Sequence, residues 1–124
     1  MKKTLFLIIS LTLLSCKPTL KPTYQSKCFI LGEAEYVLKI NDNGKFQFKS
    51  HLGDTINGNW TLSKDTLILD SEYFIETTSF DTKKDSIVKN TKSTEFDKQE
   101  KYLLKRKKLF LITKNGISKE CYLK

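Results

Sequence analysis

Tyr36-Val37-Leu38-Lys39-Ile40-Asn41-Asp42-Asn43-Gly44-Lys45-Phe46-Gln47-Phe48-Lys49 decides the fold class. Tyr36, Leu38 and Ile40 alternate with Val37 and Lys39, and Phe46 and Phe48 alternate with Lys45, Gln47 and Lys49. A period of two puts each apolar set on one side of a strand. Asn41-Asp42-Asn43-Gly44 between them is a strong turn signal. A three-residue loop at Asp42-Asn43-Gly44, with Gly44 left-handed, sets Ile40 opposite Phe46 and Leu38 opposite Phe48. All four then share one face, as a half-buried hairpin requires.

The same logic extends along the chain. Ile56, Gly58, Trp60 and Leu62 share a parity, and a tight turn at Lys64-Asp65 brings Leu62 opposite Leu67 and Trp60 opposite Leu69. Gly58 reads as a bulge or a point where the sheet curves. Residues 73–80, with Tyr73 and Phe74, form a further strand. Residues 81–100 are polar and poorly periodic, with Ile87-Val88 the one apolar pair, and read as a short strand with a mobile loop. Thr94 with Asp97 three positions on is a possible cap of a helical turn. Arg106-Lys107-Lys108 reads as a turn and Asn115-Gly116 as a type I′ hairpin dipeptide, with residues 117–123 as the last strand. Residues 109–112 are apolar on both faces and need cover on both sides. These signals predict an all-β domain: a small antiparallel meander of about eight strands, closed as a barrel or folded as a sandwich.

The N-terminus has a different character. Lys2 and Lys3 precede an apolar run over residues 5–14, then Ser15-Cys16. The run suits a signal-peptide core and falls short of the ~20 residues that span a bilayer. Leu13-Leu14-Ser15-Cys16 resembles the lipobox of bacterial lipoprotein precursors. That resemblance implies removal of residues 1–15 and a diacylglyceryl group on the Cys16 thiol, with acylation of the new amino group in most members. Two or more long chains make a stable anchor, at about 0.8 kcal/mol per buried methylene. Residues 16–27, with Pro18 and Pro22, then read as a flexible tether, and residues 28–124 as one β domain. No acidic cluster follows Cys16, a departure from the tag that resembles surface export in lipoproteins of the Bacteroidota type. The expected address is the cell envelope, on the outer membrane facing the periplasm.

The chain carries 22 basic and 14 acidic residues, a formal charge of +8. Loss of Lys2 and Lys3 leaves 20 against 14, or +6. Nucleic acid is not the expected partner: Arg106 is the one arginine, whereas base readout and bidentate phosphate contacts favour arginine. Dispersed lysines suit a solvated surface or anionic headgroups. Cys28 and Cys121 lie near the two ends of the mature domain, in a compartment that permits disulfides. They read either as a staple closing nearly the whole domain or as two buried thiols.

Catalytic and metal-binding patterns are missing from the sequence. His51 is the one histidine, so no His cluster or relay can form, and no cofactor is expected. Phosphate-cradling Gly loops and motif-borne nucleophiles do not occur. Asp42, Asp54, Asp65 and Asp70 sit near turns, where Asp bonds backbone, although a carboxylate-pair hydrolase needs no fixed spacing. Gly58-Asn59-Trp60, the Asn-Gly turns and the alternation are similar to those of small lipocalin-like lipoproteins. In lipocalins Gly-x-Trp belongs to the first strand; here it falls on the third, so no ligand carries over. The expected function is a non-enzymatic binding or accessory module. Tyr36, Phe46, Phe48, Trp60 and Phe110, with Tyr73 and Phe74, would be plain core or line a pocket for a small apolar ligand, with an envelope protein as the other possible partner. The alternative is an envelope inhibitor or immunity-type protein that makes contact through residues 81–100.

Overall fold

Leu38 faces Phe48 and Ile40 faces Phe46 in the hairpin of β4 (Tyr36–Ile40) and β5 (Lys45–Ser50). The three-residue loop between them has Gly44 at φ 80°, the left-handed conformation that the turn requires. This comes from a computed structural model that describes residues 19–81, 83 and 86–124. The apolar run and Cys16 lie outside the described residues.

The meander continues through β6 (Thr55–Ser63), β7 (Thr66–Asp81), β8 (Ser86–Lys105) and β9 (Lys108–Thr113), each antiparallel to the last. Leu62 pairs with Leu67 and Trp60 with Leu69, across a turn where Lys64 takes φ 56°. The register slips beside Gly58, where Glu72 is the extra residue on β7. Arg106 and Lys107, both left-handed, turn β8 into β9. The outcome is all-β, with ten strands among the described residues, eight of them in one antiparallel sheet.

Residues 81–100 depart from expectation. Residues 86–100 are neither a mobile loop, nor a short strand, nor a capped helical turn: the 20-residue β8 runs through them, antiparallel to a 16-residue β7 that takes in both apolar runs of residues 66–81. Past Ile75 on β7 and before Ser93 on β8, the two strands pair only with each other and leave the sheet as a two-stranded arm. On β8, residues 91–95 are exposed throughout, so this stretch has no apolar side and carries no period-two signal.

The domain also begins earlier than expected. Thr23–Gln25 form β1, paired with Lys39, Leu38 and Val37 of β4, so the tether does not extend to residue 27. Tyr24 is fully buried there, and Leu20 packs against the same core. One aromatic side chain between polar neighbours is enough to hold the segment down, and it gives little periodic signal. After Cys28 come β2 (Phe29–Ile30) and β3 (Glu33–Ala34), a small separate hairpin with Leu31 and Gly32 at its left-handed tip.

The last strand is shorter than expected. β10 (Gly116–Ile117) holds two residues, and its turn is Lys114-Asn115 followed by Gly116 at φ 111°, one position off the Asn115-Gly116 reading. Ser118 still donates its N–H to the Leu111 carbonyl at 2.8 Å, residues 119–121 arch away, and residues 122–124 then lie between β9 and β1. Leu123 exchanges backbone hydrogen bonds with Leu109 at 2.8 and 3.0 Å. Lys124 exchanges two with Gln25, and Lys27 donates to the Tyr122 carbonyl. The first and last staves of the sheet are thereby joined, and the meander is a closed barrel. Its core is Tyr24, Leu38, Ile40, Phe46, Leu67, Leu69, Tyr102, Leu104, Leu109 and Leu123.

Candidate ligand cavity

β8 stays with β9 only from Tyr102 to Lys105, so the two diverge toward the arm. A cavity of about 340 Å³ opens where they part. Its floor is the buried set Phe46, Leu69, Tyr102, Leu109 and Leu123, and its walls are Phe48, Ile56 and Leu111. Tyr36, Lys98, Glu120 and Cys121 are more exposed and form the rim. Tyr36 leans on Phe48 with ring centroids 5.3 Å apart and planes at 55°. A water occupies ~30 Å³ of liquid, so the space exceeds a few waters and reaches the lower end of ligand pockets.

Ser71, Lys98, Glu100 and Tyr102 make one polar strip on the lining, with Glu120 as a further charged group on the rim. Lys98, Glu100 and Tyr102 alternate along β8, so all three point the same way. The Tyr102 hydroxyl donates to Glu100 Oε2 at 2.7 Å, and Lys98 Nζ lies 2.8 Å from Glu100 Oε1. Burial pushes the Tyr102 phenol well above its ordinary range, and the Glu100 charge pushes it the same way. Burial and the charge of Glu35 likewise raise Tyr36.

A second space of about 310 Å³ shares the walls Tyr36, Phe48 and Ile56, and is completed by Glu35, Ser50, His51, Leu52, Asp54 and Phe74. Ser50 Oγ is buried there without a hydrogen-bond partner among the described residues. Asp54 accepts the Thr77 backbone N–H at 3.1 Å, which ties this end of the barrel to the start of the arm.

Cys28 and Cys121 form a disulfide, with Cα atoms 5.0 Å apart. Barrel closure brings them together, and the bond holds Glu120, Cys121 and Tyr122 over the cavity. The Glu35 carboxylate lies within 4.8 Å of both sulfurs. With the sulfurs bonded to each other, neither offers a thiolate to a metal ion.

No family model matches the chain, and no curated protein or solved structure matches it either.

The expected aromatics separate into two groups. Tyr36, Phe46 and Phe48 meet at the cavity. Trp60 lies at the opposite end, beside Leu20, Pro22, Ile40 and Leu62, with its indole N–H donating to the Asn41 carbonyl at 2.8 Å. Phe110 is on the outer face of β9 against Tyr122, with centroids 5.2 Å apart. Lys27 and Lys108 stand over the Tyr122 ring at 5.2 and 5.1 Å, so this outer face is covered by the chain itself. Tyr73 is exposed, and Phe74 meets Phe96 at 6.4 Å. Glu100 and Tyr102 were not among the expected site residues. Their signal lay in the alternation of Lys98, Glu100 and Tyr102, set in a segment too polar to be read as a strand.

Proposed function

We propose that the protein is a lipid-anchored binding module of the bacterial cell envelope, held through Cys16 on the outer membrane and facing the periplasm, whose barrel takes a small apolar ligand. The observation that carries the reading is the cavity of about 340 Å³ lined by Tyr36, Phe46 and Phe48. Small barrels are filled by their own side chains or hold one small ligand, and the space left here favours the second. The lipobox supports the address.

The direction of β1 fits this arrangement. Thr23 stands beside Lys39, and the Pro22 carbonyl accepts the Ile40 N–H, so the chain enters at the end away from Tyr36 and Ser50. Six residues lie between Cys16 and Thr23, and the seven Cα steps that join them reach about 25 Å at most. The nine residues of β6 alone span about 30 Å. An anchor at Cys16 thus favours the Trp60 end toward the bilayer, with the arm directed away from it.

The test is recovery of the lipidated protein from its own envelope, with co-purifying small molecules and proteins identified by mass spectrometry. A defined apolar small molecule at near one per chain is the expected result. Bulk lipid alone would overturn the reading. A second reading, an envelope inhibitor or immunity-type protein, is favoured by the arm, a long element whose two strands pair with each other beyond the end of β6. It expects a protein to co-purify, and that capture to vanish once the arm is trimmed.

A further inference from the structure

The cavity carries a charge opposite to that of the chain. The whole sequence has a formal charge of +8. Yet the linings of the two adjoining spaces hold four carboxylates, Glu35, Asp54, Glu100 and Glu120, against one ammonium, Lys98. A basic protein that collects its acids around an aromatic-walled space has a local field favouring a cation. Aromatic faces such as the tilted Tyr36–Phe48 pair attract a cation further through their negative ring faces.

We propose that the ligand is an organic amine: its apolar body lies against Tyr36, Phe46 and Phe48, and its ammonium replaces that of Lys98 on Glu100. This inference rests on the cavity reading above and adds the head group to it. Glu100 is the fixed partner. Its side chain is 29% exposed, it sits on a paired stretch of β8, and the buried Tyr102 hydroxyl holds Oε2. Lys98 is the replaceable one. Its side chain is 56% exposed, and a half-exposed ion pair gains little from staying formed. The lysine ammonium thus marks where a ligand ammonium fits, and swings into water when one arrives. An anionic amphiphile meets the opposite situation, since its head would lie between Glu100 and Glu120.

The test uses three eight-carbon probes that differ only in head group: octylamine, 1-octanol and octanoate. Each is titrated calorimetrically at pH 7 into the full lipidated chain in nanodiscs, with empty nanodiscs as the blank. Octylamine should bind at least tenfold tighter than octanoate, although the net charge of the protein favours the anion. Glu100→Gln should bring the ratio of octylamine to octanol affinity to about one. Lys98→Met should raise octylamine affinity several-fold, an effect that a purely structural role for the ion pair does not give. Octanoate binding as tightly as octylamine, or an unchanged ratio in Glu100→Gln, overturns the amine assignment. If 1-octanol binds and octylamine has no advantage, the cavity reading stands and the head group is wrong. If none of the three binds, both fall.

Discussion

Gly58 runs so close to the carbonyl of Asp70 that a methyl group at its Cα would collide with the carbonyl oxygen. The same Cβ would also lie 2.9 Å from the Cε1 of Phe46. Neither obstacle is the loose end of a flexible side chain: one is backbone, and the other is a buried ring that forms part of the cavity floor. Gly58→Ala should therefore cost about 1–3 kcal/mol, the range of overpacked cores, and lie toward its upper end. The guanidinium unfolding midpoint measures it. A variant as stable as the parent would show that the strands around the bulge can part.

The disulfide should contribute strongly to stability. Its partners are 93 positions apart, and the chain-entropy account assigns a loop of that length about 4–5 kcal/mol. Cys28→Ser with Cys121→Ser should lower the unfolding midpoint accordingly, and reductant should do the same to the parent. A double variant that unfolds at the same denaturant concentration would mean that hydrogen bonding through residues 122–124 suffices to hold the barrel shut.

Alkali should unfold the domain. Burial raises the phenols of Tyr102, Tyr36 and Tyr24, so the folded state keeps protons that the unfolded state loses above its ordinary tyrosine pKa near 10. The folded state then binds more protons, and stability must fall as pH rises past about 10. Below that pH the tyrosines are protonated in both states and contribute no pH dependence. Absorbance of tyrosinate at 295 nm should show fewer than five tyrosines titrating until the near-UV signal of the fold is lost. Tyr102→Phe should remove part of this dependence and weaken the fold by about 1 kcal/mol through the lost hydrogen bond to Glu100.

Trimming the arm should leave the barrel intact. Thr78 pairs with Lys89, so replacing residues 79–88 by Asn-Gly joins them through a two-residue turn. The deleted backbone pairs, Ser79–Val88 to Asp81–Ser86, bridge only β7 and β8, and the unfolding free energy should change by less than about 1 kcal/mol. A large loss would show that the arm folds back on the barrel.

How far the sequence could be read depended on whether a strand has one wet and one dry face. The hairpin of Ile40 with Phe46 and Leu38 with Phe48 was legible because alternation and a turn signal agreed within a few residues. Leu62 with Leu67 was legible for the same reason. Residues 91–99 were not, because nearly all of them are exposed and the strand has little dry face there, and its Lys, Thr, Ser and Glu resemble a loop in composition. Tyr24 was missed because a three-residue strand offers no period. The cavity residues divide in the same way. Tyr36, Phe46 and Phe48 could be picked from a periodic hairpin, whereas Glu100 and Tyr102 depend on the path of β8. Only three-dimensional closure separates Trp60 and Phe110 from the cavity, and the same closure brings Cys28 to Cys121.

The joining of Leu123 to Leu109, with Lys124 beside Gln25, also governs the order of events when the chain is made. Synthesis runs from the N-terminus, so every other stave of the barrel exists before the one at residues 122–124. Until it arrives, the sheet has two raw edges, and the disulfide lacks its second sulfur. A product interrupted before Tyr122 can pair its hairpins but cannot seal. It would present unpaired backbone and an uncovered Phe110 to proteases. Closure by the stave at residues 122–124 therefore follows every other stave of the barrel, and a chain that stops short of it stays open to removal.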